Sequence, residues 1–366
     1  MSADFPADSV IAYFGNFEFA LFEKSFVTDE QLEALKKNYS YSAIAIGDYT
    51  YSVEMCLGQH NIEANIDAAK AIGDATFTMR SVFGTNGFYR VYDPPLNTTL
   101  DISKELMKDL SFENVEQWFH LVYQPVVDIV TNRVVGAEAL LRWTHPEMGP
   151  VSPAIFIPIA ERTNAIFILG ELVIKKCCEF LTKYRDRLPH NFRLLVNISK
   201  REIDDDAHIN KLIHQIINSY VPFNAFEFEI TETMASRNIE QVIAFTKKMN
   251  TIGARIALDD FGSGNTALAY ISDLNCSTVK IDTSMSDGAM GDARRTKLLT
   301  SISNMCRDME LDTIMEHVET QSTMDYFAEC GYRLVQGYLF SKPLTAEALA
   351  EFAQGFDMKR YLKSGG

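Results

Sequence analysis

The length and composition of the chain fit an ordinary globular protein of about two domains. It has 366 residues, of which 47% are hydrophobic and 23% charged, and domains usually span ~100 to 200 residues. This composition excludes disorder, a collagen repeat and a coiled coil as descriptions of the whole chain. Thirty-four basic and 49 acidic residues leave a net charge of −15, which opposes binding to a nucleic acid polymer but still permits a small anionic substrate held through metal ions.

The cysteines and the N-terminus predict a protein of a reducing compartment. The six cysteines lack paired CxxC spacing, and several lie in apolar, helix-like stretches, which favours buried thiols over a disulfide framework. No stretch of ~18 uninterrupted apolar residues occurs, and the first ten residues carry two acids and no basic segment. We therefore expect a cytoplasmic chain, or the cytoplasmic part of a longer membrane protein.

Residues 1–93 are predicted to form a small α+β unit. Its elements, in order, are a strand VIAYF leading into FALF, a helix DEQLEALKKNY, a strand YSAIAIGDYTYSVEM and a helix NIEANIDAAKAIGDATFTMRSV. Pro94 and Pro95, followed by Asn-Thr-Thr, interrupt this pattern and predict a linker. With a helix from about Ser103 to Glu116, residues 94–116 would form a linker and connecting helix.

From about Phe119, short apolar strands alternate with longer amphipathic helices. The later strands read FRLLVNIS, FEFEIT, RIALDD, STVKID, DTIMEHV and RLVQGYLF, and such alternation predicts a parallel sheet. Six such units and two earlier strands fit a closed (β/α)₈ barrel over residues 117–355 better than an open sheet. Residues 356–366 would form a C-terminal tail.

The first two strands of this barrel break the regular scheme. HLVYQPVVDI and VVGAEALLRW are separated only by Val130 to Arg133, too few residues for a parallel crossover, so they should pair as an antiparallel hairpin. The expected fold is therefore a modified, TIM-like α/β barrel with an antiparallel first strand, preceded by the small N-terminal unit.

Most of the later strands end in a carboxylate, an amide or a lysine, and in a barrel these ends converge on one face. Five such residues offer oxygen ligands suited to Mg²⁺ or Mn²⁺ and unsuited to a structural zinc site: Glu138, Asn197, Glu229, Asp259 and Asp260. If the strand ends at the adjacent aspartates, one of them can bridge two ions while the other binds only the second. Alone, each residue is better explained as a capping or solvated strand-end group. Together they favour a metal site, because four carboxylates in one cavity would need cations.

Other polar residues of the later strands have open alternatives. Lys280 could hold a water or a phosphate oxygen and Glu316 could accept a proton, although a salt bridge of Lys280 with Asp282 explains the lysine equally well. Arg142 shares a strand face with Glu138, so it could reach a substrate phosphate or simply pair with Glu138.

Residues from about 115 to 355 resemble the EAL-domain phosphodiesterases of cyclic di-GMP. The resemblance rests on the order and spacing of YQPVVD (123–128), EALLRW (138–143), FIPIAE (156–161), VNIS (196–199), EITE (229–232), DDFGSG (259–264), KID (280–282), EHVET (316–320) and QGYLFSKPL (336–344). It implies metal ligation by Glu138, Asn197, Glu229, Asp259 and Asp260, catalysis by Lys280 and Glu316, substrate binding by Gln124, Arg142 and Gln336, and support of the loop after Asp260 by Glu232.

The function implied by this resemblance is hydrolysis of a bacterial second messenger. Two Mg²⁺ or Mn²⁺ ions would assist in-line attack of metal-bound hydroxide on one phosphodiester, which opens cyclic di-GMP to linear pGpG. The resemblance also implies a homodimer formed through the barrel. One alternative is a catalytically weak or inactive EAL domain that acts as a cyclic di-GMP receptor and signals through a protein partner. The other is an interaction protein that binds no nucleotide.

Two positions depart from the family pattern. His317 stands where the family has a glycine after the catalytic glutamate, and it could crowd the helix behind the strand or bind metal or substrate. Because strand alternation would point Glu316 and His317 to opposite sides, we expect a packing change. Asn265 stands where the family usually has an aromatic residue, which could alter the order of the loop or a dimer contact.

The N-terminal part is similar to the second half of a GGDEF diguanylate cyclase domain. Residues 15–19, GNFEF, stand in for GGDEF. Asn16 replaces the glycine that lets the backbone approach the nucleotide, and Phe17 replaces the metal-binding acid. The inhibitory RxxD, which would fall at Pro6 to Ser9, and the first half of the domain are missing. We expect a degenerate, partial domain without cyclase activity. Either this chain is a fragment of a longer protein, or the remnant is a reduced docking module for a protein partner, and an inert scaffold is the favoured interpretation.

Overall fold

The chain divides into two compact units, Met1–Lys104 and Glu105–Gly366, and each is described by itself. In the second unit the computed structural model describes residues 105–110, 115–237, 239–262, 271–282, 285 and 291–361. In the first it describes the short segments 10–15, 18–22, 42–46, 49–53, 57–59, 71–72, 75, 89–91 and 102.

The described part of the first unit consists mainly of three strand pairs. They are β1 (Val10–Gly15) antiparallel to β2 (Glu18–Phe22), β3 (Ser42–Ile46) antiparallel to β4 (Tyr49–Val53), and β5 (Leu57–Gln59) parallel to β6 (Tyr89–Val91). The prediction of one strand over residues 41–55 is wrong, because a hairpin stands there. Gly47 and Asp48 separate its strands, and such a pair between two apolar runs is itself a hairpin signal.

Other predictions for this unit fall largely outside the described residues. The helix predicted over residues 29–39 does so entirely, and of the helix predicted over residues 61–82 only 71, 72 and 75 are described, all of them helical. Asn16 and Phe17, on which the loss of the cyclase signature depends, also lie outside. The GGDEF-like character of the unit therefore stays a prediction.

Eight strands of the second unit close into a barrel. They are β7 (Phe119–Asp128), β8 (Arg133–His145), β10 (Arg193–Asn197), β11 (Phe226–Thr231), β12 (Arg255–Phe261), β13 (Thr278–Ile281), β14 (Asp312–Met315) and β15 (Leu334–Gln336), and a short β9 (Gly149–Val151) pairs with the end of β8. The strands from β10 to β15 follow one another in parallel, β10 also pairs in parallel with β8, and β7 closes the ring antiparallel to both β15 and β8. The predicted TIM-like barrel with an antiparallel first strand is confirmed.

Helices connect the strands on the outside of this ring. They are α1 (Val115–Trp118), α2 (Pro153–Arg162), α3 (Ala165–Tyr184), α4 (Lys200–Ile203), α5 (Asp206–Asn218), α6 (Glu232–Arg237), α7 (Ile239–Thr251), α8 (Ala293–Asp308), α9 (Gln321–Glu329) and α10 (Ala346–Gly355). Side-chain caps begin several of them, as Asp205 does for α5 and Thr320 for α9. Of the connecting helix predicted over residues 103–116, residues 105–109 and 115–116 are helical. Across the described part of the chain, no helix is both long and apolar enough to span a membrane.

The core follows the two-residue period of the strands. On β7, Phe119 and Tyr123 point outward and stack on Trp143 and Phe180, with ring centroids 5.5 and 4.5 Å apart. Alternate residues point into the barrel, where an apolar cluster forms from Val126, Leu195, Ile314 and Leu334. The cysteines that the structure describes are buried free thiols, as predicted: Cys177, Cys178, Cys276, Cys306 and Cys330.

An ionic network closes the barrel at the amino ends of its parallel strands. The buried carboxylate of Glu227 lies 3.5 Å from both the Arg193 and the Arg255 guanidinium and accepts a hydrogen bond from Thr278. Both arginines also contact the more exposed Asp312, at 3.3 and 3.0 Å. Because this mouth lies opposite the face that carries function in such barrels, we interpret the network as structural.

We predict that Glu227→Ala lowers the free energy of unfolding by about 3 kcal/mol, because two partly buried guanidinium groups lose their shared carboxylate. Asp312→Asn removes the charge of a half-exposed partner of the same arginines. It should lower the free energy of unfolding by only about 0.5 kcal/mol. Urea unfolding at pH 7 measures both. Equal losses for the two variants would contradict the structural role assigned to the buried carboxylate.

Candidate metal and catalytic site

A single lysine forms the centre of the polar cluster at the carboxyl ends of the strands. Lys280, on β13, is 1% exposed. Its Nζ contacts four carboxylates, namely Glu229 at 2.7 Å, Glu316 at 2.9 Å, Asp259 at 3.1 Å and Glu138 at 3.4 Å. The structure therefore brings together residues predicted from five separate strands. The alternative of a salt bridge with a neighbour is realised with these four carboxylates, which are themselves members of the proposed site.

Two amides hold the carboxylate of Glu138 from opposite sides. Asn197, at the end of β10, donates its Nδ2 to Glu138 Oε1 at 2.9 Å, and Gln336, on β15, donates its Nε2 to Glu138 Oε2 at 2.8 Å. Gln336 Nε2 also lies 3.4 Å from Gln124 Oε1, and Gln124 stands opposite Glu138 in the β7–β8 register. The antiparallel first strand thus contributes a member of the site from its middle, whereas the parallel strands contribute their ends.

The two adjacent aspartates share one side of the cluster because the backbone turns between them. Asp260 has φ +56°, in the left-handed region that aspartate adopts more readily than most residues. Its N–H donates to Asp259 Oδ1 at 3.0 Å. In an extended strand the two side chains would point to opposite faces. Here, carboxylate oxygens of Asp259, Asp260 and Glu316 all lie within 4.8 Å of one another.

The start of the loop after these aspartates is fixed by a buried glutamate. Glu232 Oε2 accepts the N–H of Gly262 at 3.1 Å. Gly262 has φ +99°, and a Cβ at this position would lie 2.0 Å from Sδ of Met285. The predicted support of the loop by Glu232 is consistent with this contact at residue 262, whereas Ser263, Gly264 and Asn265 lie outside the described residues.

Burial and the neighbouring polar groups act in opposite directions on the pKa values of Lys280 and Glu138. Burial lowers the pKa of Lys280, but the surrounding carboxylates outweigh it and raise that pKa well above its usual value. Burial likewise raises the pKa of Glu138, yet the charge of Lys280 and the hydrogen bonds from Gln336 and Asn197 hold it below the ordinary value. Lys280 is therefore a permanent cation and Glu138 a permanent anion near neutral pH.

The remaining acids of the cluster hold their protons more tightly. Burial, with the charge of Glu138, raises the pKa of Glu229 well above its usual range. Burial, opposed by Lys280, raises the pKa of Glu316 to about 7. Burial and the neighbouring Asp259 raise the pKa of Asp260. One lysine does not neutralise this ring, so part of it stays protonated until another cation enters.

The residues present fit a divalent cation. Glu229 Oε1 pairs with the ammonium group of Lys280 at 2.7 Å, whereas its Oε2 is buried without a hydrogen-bond partner among the described residues. A buried carboxylate oxygen without a partner is costly. The donor set of carboxylates and one amide matches the preference of Mg²⁺ and Mn²⁺ for oxygen ligands.

His317 does not occupy the position expected from strand alternation. Strand β14 ends at Met315, so alternation no longer applies, and His317 has φ +55° with an exposed side chain. The expected packing change behind the strand is therefore wrong. The backbone at 317 adopts the conformation that glycine accepts most easily, and the imidazole is instead turned to solvent beside Glu316.

Gly337 shapes the site, although it is not among the site residues predicted from the polar ends of the strands. A Cβ there would lie 2.1 Å from the carbonyl oxygen of Val318. The Val318 N–H donates to the Gln336 carbonyl at 3.1 Å, and the Leu339 N–H donates to the Val318 carbonyl at 2.9 Å. This close approach holds the segment after Glu316 against β15. The only sequence signal is the glycine within the QGYLF motif.

Arg142 lies above Glu138 on the same face of β8. It is half-buried, and its NH1 donates to the carbonyl of Leu141 at 2.9 Å. Among the residues that the structure describes, Arg142 forms no ion pair with Glu138, whose cationic contact is Lys280. The alternative that Arg142 serves as the partner of Glu138 is therefore not supported.

The sequence and the fold match known proteins over the barrel. The family model of the EAL domain matches residues 107–343. A cyclic di-GMP phosphodiesterase of Pseudomonas aeruginosa is 31% identical over 71% of this chain and 44% of its own length, and the cyclic di-GMP phosphodiesterase NbdA of the same organism is 30% identical over 70% of this chain and 32% of its own. The solved structure of the PaMucR phosphodiesterase in complex with c-di-GMP has a TM-score of 0.62 and 28% identity, and covers 67% of this chain and 99% of that one.

These matches concern part of larger proteins. The chain spans less than half the length of the curated relatives named above. The similarity to the PaMucR phosphodiesterase covers almost all of that solved chain, and about two thirds of this one. The matched part of this chain is therefore the region of the barrel.

We predict that the metal-free protein loses stability between about pH 4.5 and pH 7, because Glu316 has a folded-state pKa of about 7 and a lower one when unfolded. The folded chain binds the extra proton, so the stabilisation is complete below the unfolded pKa and disappears as the pH rises through 7. Over this pH range, the free energy of unfolding of the wild type should fall by up to about 3 kcal/mol more than that of Glu316→Gln. Urea unfolding in EDTA at pH 5 and pH 8 measures the difference. Parallel pH dependence of both proteins would contradict it.

We predict that His317→Gly raises the free energy of unfolding by about 1 kcal/mol, because glycine removes the strain of a left-handed residue. Glu310→Gly is the matched control, since Glu310 is exposed, has φ +60° and precedes β14 at the other mouth. It should show the same gain. Urea unfolding measures the stability of both variants. If His317→Gly is neutral or destabilising while Glu310→Gly is stabilising, the predicted relief of backbone strain at residue 317 is refuted.

Proposed function

The chain belongs to the EAL-domain family, and from that premise we propose that it hydrolyses cyclic di-GMP to linear pGpG with the help of two Mg²⁺ or Mn²⁺ ions. The observation that carries the proposal is the ring of carboxylates around Lys280, in which the buried Oε2 of Glu229 has no hydrogen-bond partner among the described residues. Two relatives named above are cyclic di-GMP phosphodiesterases. In this role the protein would control second-messenger signalling in a bacterium.

The proposed ligands come from two kinds of position, the register of neighbouring strands and a single backbone turn. Glu138, Asn197 and Glu229 come from neighbouring strands and are held by the register of the barrel. Asp259 and Asp260 come from one turn, which suits a bridging ligand and a ligand to one ion. Bound there, the ions would polarise the phosphodiester and lower the pKa of the attacking water.

The chain's own residues would orient and deprotonate that water. The Nζ of Lys280 lies 2.9 Å from Glu316 Oε1, so both groups can contact a water placed between the carboxylates. In the metal-free protein, burial raises the pKa of Glu316 to about 7. Metal ions would lower this pKa and leave the carboxylate ionised, so that it can accept a proton from the water. We assign substrate binding to Gln124, Gln336 and Arg142, because the two glutamines lie beside Glu138 and Arg142 lies above it on the same face of β8.

A catalytically weak or inactive cyclic di-GMP receptor is the second candidate. His317 favours it, because an exposed imidazole in a left-handed conformation stands directly after Glu316, where the family has glycine. A side chain at this position could slow the reaction without preventing binding. Binding of cyclic di-GMP without turnover would support this function over hydrolysis.

The organisation of the whole chain is part of the proposal. We assign residues 1–93 to a degenerate GGDEF-like unit, 94–116 to the linker and connecting helix, 117–355 to the phosphodiesterase barrel and 356–366 to a tail. We further propose a homodimer through the barrel and a protein partner for the N-terminal unit. Light scattering of the purified chain would measure the oligomeric state.

The test is chromatographic analysis of products after the purified chain is incubated with cyclic di-GMP and Mg²⁺, Mn²⁺ or Ca²⁺. We expect pGpG with Mg²⁺ or Mn²⁺ and intact substrate with Ca²⁺. Glu138→Ala should lower turnover by about 100-fold or more, because the ligand and the anchor for Asn197 and Gln336 are both lost. Glu147→Ala is the matched control, because Glu147 is exposed beyond the end of β8, and it should retain full turnover.

The outcomes separate the two candidates. Turnover that persists undiminished in Glu138→Ala would refute the proposed site. If the wild type binds cyclic di-GMP but leaves it intact with every metal, the receptor function replaces hydrolysis. His317→Gly is then the variant that tests whether the imidazole blocks the reaction.

A further inference from the structure

A histidine stands on the same wall of the barrel as the proposed substrate residues. In the β7–β8 register, Gln124 faces Glu138 and His120 faces Arg142. Residues four apart on a strand share a face, so His120 lies above Gln124 as Arg142 lies above Glu138. Four residues of strand span roughly 13 Å. The pair of His120 and Arg142 therefore lies well above the carboxylate ring, toward the open end.

The surroundings of His120 leave its side chain accessible from this open end. Its neighbours Phe119 and Leu121 are buried on the helix side of β7, whereas His120 itself is exposed. Directly opposite residues of an antiparallel pair have their Cβ atoms ~4.5 to 5.5 Å apart. An imidazole and a guanidinium therefore lie side by side. Among the residues that the structure describes, Arg142 donates to the Leu141 carbonyl and forms no ion pair with a carboxylate.

The charges around His120 determine which hydrogen bonds it can make. Partial burial and the positive charges of Arg142 and Lys176 lower its pKa. A neutral imidazole has one donor and one acceptor, whereas Arg142 offers only donors. The two side chains together can satisfy a group that both accepts and donates. A nucleobase edge has this character, and a phosphate does not, because it only accepts.

His120 and Arg142 lie where a base of the substrate would extend beyond the carboxylate ring. Cleavage requires only one phosphodiester to reach the carboxylates, so the bases must extend along the barrel wall. Guanine presents the acceptors O6 and N7 on one edge, to which arginine is the commonest partner, and the N1 and N2 donors on another.

We propose that His120 is a further substrate-binding residue, which acts with Arg142 to bind one guanine base of cyclic di-GMP. The inference rests on the proposed cyclic di-GMP phosphodiesterase function and extends it to the recognition of the base. His120 touches neither the carboxylate ring nor the attacked phosphate, so it contributes to affinity and base selectivity rather than to the chemical step.

The test compares His120→Ala with the wild type in binding and in turnover. Calorimetric titration of cyclic di-GMP in Ca²⁺ should show a Kd about 5- to 10-fold higher, as expected for one lost hydrogen bond, and KM in Mg²⁺ should rise similarly while kcat stays within twofold. The ratio of the Kd for 3′,3′-cyclic GMP-AMP, the analogue with one adenine, to the Kd for cyclic di-GMP should decrease. His190→Ala is the matched control, because His190 is exposed just before β10 at the opposite mouth, and it should change none of these values.

Each outcome bears on the inference separately from the proposed function. A His120→Ala protein that binds as tightly as the wild type, or that loses kcat rather than affinity, overturns the inference while the wild-type activity stands. His120→Gln, which keeps a donor and an acceptor, should recover part of the affinity, and unchanged melting temperatures exclude misfolding. A wild type that neither binds nor cleaves cyclic di-GMP refutes the proposed function, and the inference falls with it.

Discussion

The contact between one buried ammonium group and four carboxylates is the interaction on which the rest of the structure depends. Lys280 is shielded from water at the centre of Glu138, Glu229, Asp259 and Glu316. Desolvation makes each of these charges expensive, so the cluster is stable only as a set. Burial, together with the neighbouring carboxylates, raises the pKa values of Glu229 and Glu316, and one positive charge is too few to neutralise this set. A divalent cation would supply the missing positive charge.

The barrel supplies the geometry that this cluster requires. Parallel strands bring residues distant in the chain to one mouth, and the antiparallel β7 adds Gln124 and His120 to the wall from a strand that runs in the opposite direction. Local departures from regular strand backbone then determine where individual side chains of the site lie. The left-handed turn at Asp260 directs two consecutive aspartates to one side, and the absence of a side chain at Gly337 allows the segment after Glu316 to lie against β15. Structure at the other mouth, around Glu227, provides stability without taking part in the site.

Much of this arrangement is predictable from the sequence, because strand ends converge in a barrel whatever the details of packing. The order of apolar strands and polar ends therefore gives the fold and the members of the site, and the short separation of the first two strands gives the antiparallel pairing. Backbone conformation is not predictable in this way. A two-residue period implies that Glu316 and His317 point apart within a strand, but β14 ends one residue earlier and His317 becomes left-handed and exposed. The hairpin of β3 and β4 was hidden for a related reason, since a turn of two residues barely interrupts an apolar run.

We propose that the carboxylate ring around Lys280 binds divalent metal ions and that part of it is protonated when no metal is bound. The most direct measurement is calorimetric titration of Mn²⁺ into the metal-free chain in two buffers of different ionisation enthalpy, which gives both the number of ions and the number of protons released. Two ions per chain, with a proton release at pH 6.5 that diminishes by pH 8.5, is the predicted result. Failure to bind Mn²⁺ at millimolar concentration, or binding without proton release at either pH, would contradict the account.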